Sequence, residues 1–398
     1  MSAMRGRAFH PAFVVPRYGL EVVGGAEDLA RRTAEELARR GFDVTALTTC
    51  ALDHHTWRDH YPAGAGSLNG VKLLRFPADS DVGDPRLGRV LRDISAGKDV
   101  PEAEQERWLA GVVTSPGLID HLRAEGDRYS HLLFLPYLFG TTYFGSRVHP
   151  ERSYIIPCLH DEPFAYLSLI MRMLGCARGL IFNSPGERRL ASRLLEVQDP
   201  GPVVGMGFSP LAGDTGAFYD RFPVRGDFLL YAGRREEGKN TPLLVDHFCR
   251  FAAEQDRRLS LVLMGAGEVR VPPAFSRVVF DLGRVSEQEK WDGYTAACAF
   301  CQPSVNESLS IVLLESWLAG RPALVNRECE VTSEHARASG GGIAFGDYDE
   351  FAAALSMLLD DRGLARSLGE AGRRYVLEQY NWDSVVERLL GALGVGEG

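Results

Sequence analysis

Two glutamates with seven residues between them bracket a predicted helix N-terminus in the second half of the chain. Glu307 follows a short apolar strand and a proline, and Glu315 lies inside an apolar helix, so both carboxylates are expected to face one bound molecule. Ser308 and Ser310 are candidate N-caps, and the free amides of the first helical turn, with the helix dipole, suit a phosphate. Carboxylates for sugar hydroxyls beside amides for phosphate indicate a nucleotide-sugar pocket.

Two cations follow another predicted strand about seventy residues earlier. Arg234 and Lys239 come after the apolar run 227–233, and the carboxyl ends of strands are where open α/β sheets bind ligands. The Arg234 guanidinium offers a planar fork for paired phosphate oxygens, and the Lys239 ammonium offers a compact charge. Alone, this segment also fits a solvated charged loop. Together with the two glutamates, it predicts a clamp for a diphosphate.

These residues resemble the retaining glycosyltransferases of family 4, which have the GT-B fold. The Glu307 and Glu315 pair is similar to the family's Glu-x7-Glu motif, and Gly233-Arg234 followed by Lys239 is similar to its Gly-Arg…Lys element. The resemblance covers roughly residues 9 to 390. Further matches come in the family's order: Gly24-Gly25-Ala26-Glu27 resembles its glycine loop, His160-Asp161 its cleft histidine, Met264-Gly265-Ala266-Gly267 its second strand turn, and Gly283-Arg284-Val285 the strand end that meets the base.

The resemblance implies an α/β fold of the GT-B class, with two doubly wound Rossmann-like domains facing across a cleft. Residues 1–210 are expected to form the acceptor-binding domain. Residues 211–379 are expected to bind the nucleotide-sugar donor. A C-terminal helix within 380–398 is expected to cross back and complete the first domain.

The resemblance also implies a reaction and a role for each matched residue. A glycosyl group would pass from a nucleoside diphosphate sugar to a hydroxyl, with retained anomeric configuration, no covalent nucleophile, no metal and no other cofactor. The implied catalytic residues are His160, Arg234, Lys239 and Glu307, with Glu307 on sugar hydroxyls and His160 on the donor sugar. The implied donor-binding residues are Gly24, Gly25, Gly265, Arg284, Val285, Ser308, Leu309, Ser310, Ile311 and, on the ribose hydroxyls, Glu315. Arg17, Asp161 and Glu162 also lie near strand ends, where they could position the acceptor.

The glycine loops leave two structural alternatives open. The pair Gly24-Gly25 fits either a tight strand-to-helix turn or a close backbone approach to phosphate or acceptor. Gly265 and Gly267 begin a dinucleotide fingerprint, but Arg270 stands where its third glycine would be, which disfavours hydride transfer. The chain contains no P-loop motif.

Short apolar runs alternate with amphipathic stretches, as in parallel sheets covered on both faces. The clearest helix begins near Ala26 and ends before Gly41, and the series of strands pauses between Pro200 and Gly226. A last helix is predicted from about Asp383 to Leu393. Predicted strands are 12–15, 44–49, 71–76, 131–135, 154–158, 179–183 and 203–205 in the first series, and 228–232, 261–264, 278–281, 299–302 and 323–326 in the second.

Composition narrows the class of protein and its partners. The net charge of −9 disfavours nucleic-acid binding. Cys298 and Cys301 lie in a predicted strand without the second pair that a zinc site needs, so they are expected to be buried thiols. No apolar run reaches the ~20 residues of a membrane span, and residues 1–11 lack the apolar core of a secretory leader. A cytoplasmic protein is expected, and peripheral membrane contact stays open.

Three other functions stay open at this stage. A sugar-nucleotide epimerase of the same fold would use the same cations and glutamates, a dehydrogenase would bind nicotinamide, and a catalytically silent scaffold would have lost one of the charged residues.

Ser308 and Ser310 stand where many family members have glycine, so the identity of the donor cannot be inferred from those members. The acceptor is expected to be a polysaccharide, a lipid-linked glycan or a small natural product; the oligomeric state is undetermined.

Overall fold

The computed structural model describes residues 9–235, 237–255 and 257–395, which form two compact units. Unit 1 contains the chain up to Gly207 and again from Trp382, and unit 2 contains Phe208–Asn381. The sequence placed these divisions at 210/211 and 379/380. Residues 1–8, which bear on the leader prediction, lie outside the described part of the chain.

The described part of unit 1 is built on a seven-stranded sheet in the order β3-β4-β2-β1-β5-β6-β7. Neighbouring strands are parallel except β3, which pairs antiparallel with β4. The central strands are fully buried, as expected for a sheet covered on both faces. The strands are β1 (Pro11–Val14), β2 (Thr45–Thr49), β3 (Gly64–Leu68), β4 (Val71–Phe76), β5 (His131–Phe134), β6 (Ser153–Ile155) and β7 (Gly179–Leu180).

Helices connect these strands, and their ends follow local sequence signals. Helix α2 begins with Asp84 as N-cap and proline in its first turn, and α4 and α7 begin in the same way after Ser115 and Ser184. Helix α1 packs a stripe of leucine and alanine inward, as its periodicity predicts. The helices are α1 (Gly25–Arg39), α2 (Pro85–Ser95), α3 (Glu102–Val112), α4 (Pro116–Glu125), α5 (Gly140–Gly145), α6 (Ser168–Cys176) and α7 (Pro185–Leu195).

Unit 2 has a six-stranded parallel sheet, within the described residues, in the order β10-β9-β8-β11-β12-β13. Strand β8 runs between β9 and β11, so the carboxyl ends of β8 and β11 lie side by side. Cys301 is fully buried in β11, which confirms the prediction of a buried thiol there, whereas Cys298 lies just before the strand and is half-buried. The strands are β8 (Asp227–Ala232), β9 (Leu259–Met264), β10 (Val279–Asp281), β11 (Ala299–Gln302), β12 (Ala323–Asn326) and β13 (Gly342–Phe345).

The helices of unit 2 cover this sheet. The clearest local start is that of α10, where Ser286 and Glu289 form a reciprocal capping box. The helices are α8 (Thr215–Arg221), α9 (Thr241–Glu254), α10 (Glu287–Ala296), α11 (Ile311–Leu318), α12 (Glu330–Ser339), α13 (Tyr348–Asp360) and α14 (Arg362–Gln379). No helix of the described chain combines the length and apolarity needed to cross a bilayer.

The last helix, α15 (Trp382–Ala392), returns the chain to unit 1. The backbone carbonyl of Leu393 lies 3.0 Å from His131 Nε2 at the start of β5, and the Arg388 guanidinium donates to the carbonyl of Val204 at 2.9 Å. Gly207 leaves room for the Trp382 ring, since a Cβ there would lie 2.2 Å from a ring carbon. The prediction of a returning C-terminal helix is confirmed.

Three differences from the predicted strands have local causes. Strands β3 and β13 were missed because they are edge strands that are mostly exposed or half-buried, without a strong apolar signal. Strand β6 ends at Ile155, since Pro157 cannot donate to a ladder and Cys158 has a φ of 53°. The predicted strand 203–205 is reduced to one bridge, between Val203 and Phe182.

Candidate functional site

Lys239 and Glu307 meet in unit 2, at the adjacent ends of β8 and β11. The Lys239 ammonium donates to Glu307 Oε1 at 2.9 Å, although 68 positions separate the two residues. The Glu307 side chain is 9% exposed and that of Lys239 is 20% exposed, so the pair is shielded and still reachable from solvent. The structure therefore brings together two of the residues that the sequence placed in one site.

A run of backbone amides beside Glu307 leads into the start of α11. Among the described residues, no acceptor is found for the N–H groups of Ser308–Val312, which lead into α11. Leu309 and Ser310 in this run are nearly buried. Amide donors at a helix start, together with the dipole of α11, favour an anion in front of them.

The predicted helix start was wrong in detail. Helix α11 begins at Ile311, so Ser308 lies in the preceding loop. Ser310 occupies the N-cap position with a left-handed φ of 65°, and its side chain makes no capping hydrogen bond. Its hydroxyl instead accepts a hydrogen bond of 2.9 Å from Gln302. A residue in this conformation turns the chain sharply into the helix, and the first helical amides are left without a capping hydroxyl.

Gln302 is a site residue that the sequence reasoning did not assign. Its amide nitrogen donates to Glu307 Oε1 at 3.1 Å and to Ser310 Oγ, so it fixes the loop from the end of β11. The side chains of Asn240 and Asn326 both donate to the carbonyl of Pro303, at 3.2 and 3.0 Å. A polar residue ending a buried strand just before the motif was the signal that could have identified Gln302.

Glu315 lies apart from the solvent-accessible side of this cluster. Its side chain is fully buried, contacts the Lys290 ammonium at 2.9 Å and accepts a hydrogen bond of 3.2 Å from Tyr294. Burial alone would lower the pKa of Lys290, but the attraction of Glu315 and Glu287 raises it overall. A ribose would reach Glu315 only if the covering groups moved, so the expectation that both glutamates face one open site does not match this arrangement. Its contact with ribose stays a prediction.

The cation loop after β8 holds one buried and one half-buried arginine. Arg234 is half-buried, and its carbonyl accepts a hydrogen bond of 2.6 Å from the Tyr231 hydroxyl. Arg235 is 4% exposed, donates to the carbonyl of Gly267 at 2.7 Å and lies 3.1 Å from Asp281. Arg235 therefore fixes the loop, and Arg234 is the arginine left at the surface.

Gly265 has a structural reason to be glycine. Its φ is +126°, and a Cβ would lie 2.0 Å from the carbonyl oxygen of Gly233. Its amide donates to the carbonyl of Gly283 at 2.8 Å, so this N–H is already used inside the protein. Contact of Gly265 with a ligand stays a prediction. The same holds for Arg284, which is exposed, and Val285, which is half-buried.

The glycine loop of unit 1 is shaped by a buried ion pair. The Arg17 guanidinium is 5% exposed, donates to Glu27 with two nitrogens at 2.9 and 2.5 Å, and also donates to the carbonyls of Val23 and Leu52. A Cβ on Gly24 would lie 2.1 Å from Glu27 Oε2, whereas Gly25 has open space around it. Gly24 thus makes room for the ion pair, and Arg17 is a structural cation rather than an exposed acceptor contact.

His160 follows β6 in a loop with two carboxylates. Its Nδ1 lies 3.8 Å from Glu162 Oε1, and Glu162 accepts a hydrogen bond of 2.8 Å from the buried Tyr137 hydroxyl. Asp161 is exposed and accepts a hydrogen bond of 2.6 Å from Tyr166. The His160 ring is half-buried, so it is accessible for the predicted contact with a donor sugar.

A buried glutamate, Glu187, fixes the backbone just before this loop. Glu187, in the first turn of α7, accepts hydrogen bonds of 2.6 Å from the backbone amides of Leu159 and Asn183. It is 1% exposed, and this burial raises the pKa of Glu187 to about 8, although the donated backbone hydrogen bonds act in the opposite direction. Ser184 and Glu187 have the spacing of a capping box, which was the available sequence signal.

One group of potential metal ligands occurs among the described residues, away from both clusters in sequence. Asp53, His54 and His55 place ligand atoms within 4.8 Å of one another. Asp53 already accepts hydrogen bonds from the backbone and hydroxyl of Thr56, each at 2.8 Å.

Comparison with known proteins gives a family match for the part of the chain that contains the unit 2 cluster. Residues 220–375 match the family described as "Glycosyl transferases group 1". The chain is 29% identical over 193 residues to the MMP alpha-(1->4)-mannosyltransferase of Mycolicibacterium hassiacum, which is 46% of each chain. It is 30% identical over 226 residues to the D-inositol 3-phosphate glycosyltransferase of Salinispora arenicola, covering 50% of this chain and 49% of that protein. The match thus spans about half the length of these curated relatives.

Solved structures resemble nearly the whole chain. Sucrose-phosphate synthase from Thermosynechococcus elongatus superposes with a TM-score of 0.72 at 17% identity, covering 96% of this chain and 97% of that one. HepE of Anabaena, solved in complex with UDP and glucose, superposes with a TM-score of 0.68 at 13% identity, covering 97% and 99%. These likenesses confirm the predicted fold class, α/β of the GT-B type with two Rossmann-like domains. The predicted cleft between the domains stays a prediction.

Proposed function

We propose that this chain is a glycosyltransferase that moves a glycosyl group from a nucleoside diphosphate sugar to a hydroxyl acceptor. The carrying observation is the shielded pair of Lys239 and Glu307 beside the amides of Ser308–Val312, for which the described residues supply no acceptor. A cation and amides suit a diphosphate, and a carboxylate suits sugar hydroxyls. Support also comes from the family match over 220–375 and from the UDP and glucose held by HepE.

The proposed step breaks the bond between the sugar C1 and the diphosphate oxygen, and the bonding electron pair leaves with the diphosphate. The acceptor oxygen forms the new bond to C1 from the same face, so the configuration is retained, and its proton passes to a phosphate oxygen. Negative charge therefore grows where Arg234, Lys239 and the amides of α11 would bind. Fixed donors aimed at developing charge lower the barrier without reorganisation.

Other residues take binding roles in this proposal. When the diphosphate binds the Lys239 ammonium, the Glu307 carboxylate becomes free to accept hydrogen bonds from sugar hydroxyls. Gln302 keeps this carboxylate in place. The resemblance assigns His160 to the donor sugar and Glu315 to the ribose, and Lys290 and Tyr294 would have to move away from Glu315 for that contact. Because the cations come from side chains, transfer is expected to need no metal and to persist in a chelator.

Thermal-shift screening with UDP, GDP and ADP and their sugars tests the proposal, followed by product analysis by mass spectrometry and NMR. One nucleoside diphosphate is expected to raise the melting temperature by several degrees, since a ligand at 100 times its Kd stabilises by about 2.7 kcal/mol. Its sugar should then be transferred with retention. Rearrangement of the donor without an acceptor would instead show an epimerase, and no shift with any nucleotide would reject the proposal.

A further inference from the structure

The loop between β2 and β3 in unit 1 gathers three side chains that can bind a metal ion. It contains Asp53, His54 and His55, and their ligand atoms all lie within 4.8 Å of one another. His55 is exposed, and Asp53 and His54 are half-buried, so ions in the solvent can reach the group. Two imidazoles and a carboxylate form a ligand set that suits divalent transition metals better than Mg²⁺ or Ca²⁺.

A single helical turn fixes the backbone under these side chains. The Trp57 amide donates to the carbonyl of Asp53 at 3.1 Å, and the amide and the hydroxyl of Thr56 each donate to Asp53 Oδ2 at 2.8 Å. The Trp57 ring is buried in a small core with Ala51 and Val113. The backbone that carries the three ligands is therefore ordered before an ion binds, which lowers the entropic cost of binding.

The two imidazole rings converge although they are neighbours in the chain. Successive side chains on a helical turn point about 100° apart. The ring centroids of His54 and His55 nevertheless lie 3.9 Å from each other. Zinc binds nitrogen and oxygen at about 2.0–2.2 Å, so its ligand atoms lie roughly 3–3.5 Å apart, a spacing that small side-chain rotations reach here. Because Thr56 occupies Oδ2 of Asp53, the metal would bind this carboxylate through Oδ1.

The charges close to this turn do not oppose a cation. Arg58 and Asp59 follow in the chain, and both are exposed and opposite in charge. Arg17, whose guanidinium donates to the carbonyl of Leu52, is paired with Glu27. Since these two cations are each matched by a carboxylate, Asp53 gives the group a negative charge that attracts a metal ion.

Arg17 also joins the turn to the glycine loop, because its guanidinium donates to the carbonyls of both Leu52 and Val23, at 3.1 and 3.2 Å. We propose that Asp53, His54 and His55 bind a divalent transition metal such as Zn²⁺, with water completing the coordination, and that the bound metal stabilises this turn. The metal has a structural role and takes no part in the proposed glycosyl transfer.

Titration calorimetry of the whole chain, without an affinity tag and after treatment with a chelator, tests the site. Zn²⁺ is expected to bind at one site with a micromolar Kd, whereas Mg²⁺, which prefers oxygen ligands, should not bind. His55→Gln and Asp53→Asn are each expected to raise the Kd at least about tenfold, since loss of a residue that merely orients a ligand already costs about 10–100-fold. Asparagine keeps an oxygen that can accept from Thr56, so the turn should persist.

His60→Gln is the matched control, because His60 is an exposed histidine of the same loop outside the group of three. It should bind Zn²⁺ as the wild type does. Hydrogen exchange across residues 50–61 should become slower with Zn²⁺ in the wild type and in His60→Gln, and should not change in His55→Gln. No binding by the wild type, equal binding by every variant, or binding without slower exchange would overturn the inference.

Discussion

Lys239 and Glu307 are the two side chains on which the proposed chemistry most directly depends. In the structure they neutralise each other at 2.9 Å, and Gln302 donates to the same carboxylate oxygen. A bound diphosphate sugar would replace this contact with two separate ones, cation to phosphate and carboxylate to hydroxyl. The ion pair therefore keeps both groups in position before the ligand arrives.

Lys239→Met and Glu307→Gln are each expected to reduce kcat about 10²-fold, as other losses of charge-stabilising donors do. Glutamine keeps the length of glutamate and methionine is one atom shorter than lysine, so circular dichroism and the melting temperature should stay close to wild type. The double variant should lose less than the product of the two single effects, because both groups hold one donor.

Lys72→Met serves as the control for loss of a lysine, since the Lys72 side chain is 63% exposed in unit 1, where its ammonium lies 2.7 Å from the Asp43 carboxylate. It should keep wild-type turnover. Near-normal rates in both Lys239→Met and Glu307→Gln would contradict the assignment of this cluster.

At the scale of elements, Glu187 joins three segments of unit 1. It lies in α7, and its two carboxylate oxygens accept the amides of Leu159, just before His160, and Asn183, at the start of the turn into α7. Loss of one acceptor would leave a buried backbone N–H without a partner, which typically costs about 1–3 kcal/mol. The position of the His160 loop thus depends on a residue in another element.

Glu187 is expected to make the stability of the protein fall as pH rises from 5 to 8. Its pKa is raised from 4.5 to about 8 in the folded protein, so in this range the carboxyl is protonated when folded and ionised when unfolded. Unfolding then releases a proton and becomes easier with rising pH, by on the order of 1 kcal/mol per pH unit at most. Below pH 4.5 and above pH 8 the contribution is constant.

Urea unfolding of the wild type and Glu187→Gln at pH 5, 6, 7 and 8 isolates this effect, because other titrating groups cancel in the difference. The wild type should be more stable at pH 5, since glutamine presents an amide N–H to a backbone donor. The advantage should shrink toward pH 8. A difference that does not change with pH would show that Glu187 is ionised throughout.

At the scale of the whole molecule, α15 completes unit 1 although it follows unit 2 in the chain. Val385, Val386 and Leu389 of this helix are buried, with at most 2% exposure. Each buried aliphatic side chain contributes about 1.5–3 kcal/mol. The first unit therefore cannot reach its full stability until the last residues of the chain are present.

A chain ending at Asn381 is expected to lose several kcal/mol of stability in unit 1. Hydrogen exchange followed by mass spectrometry should show reduced protection in β5, where Leu393 contacts His131, and unchanged protection in β8–β13. A chain ending at Val395 retains the helix and is the control. Equal protection in both chains would contradict a structural role for α15.

Much of the fold could be read from the sequence because its signals are local. Apolar runs predicted most central strands, since the side chains of a strand buried on both faces must be apolar wherever the strand lies in the sheet. The resemblance of the ordered motifs to family 4 implied the GT-B class, and polar residues at strand ends predicted that Lys239 and Glu307 share one site. Edge strands such as β3 were not predicted, because exposed positions do not have to be apolar.

What only the tertiary structure decided is which partner each polar group has. The sequence assigned Arg234 to the site and gave no role to Arg235, and packing buried Arg235 against Gly267 and Asp281. The sequence also paired Glu315 with Glu307, whereas Lys290 and Tyr294 from α10 hold Glu315 inside the protein. Hydrophobic periodicity is a property of neighbours in the chain, but a hydrogen bond depends on groups that folding brings together from distant positions, so only the folded chain reveals it.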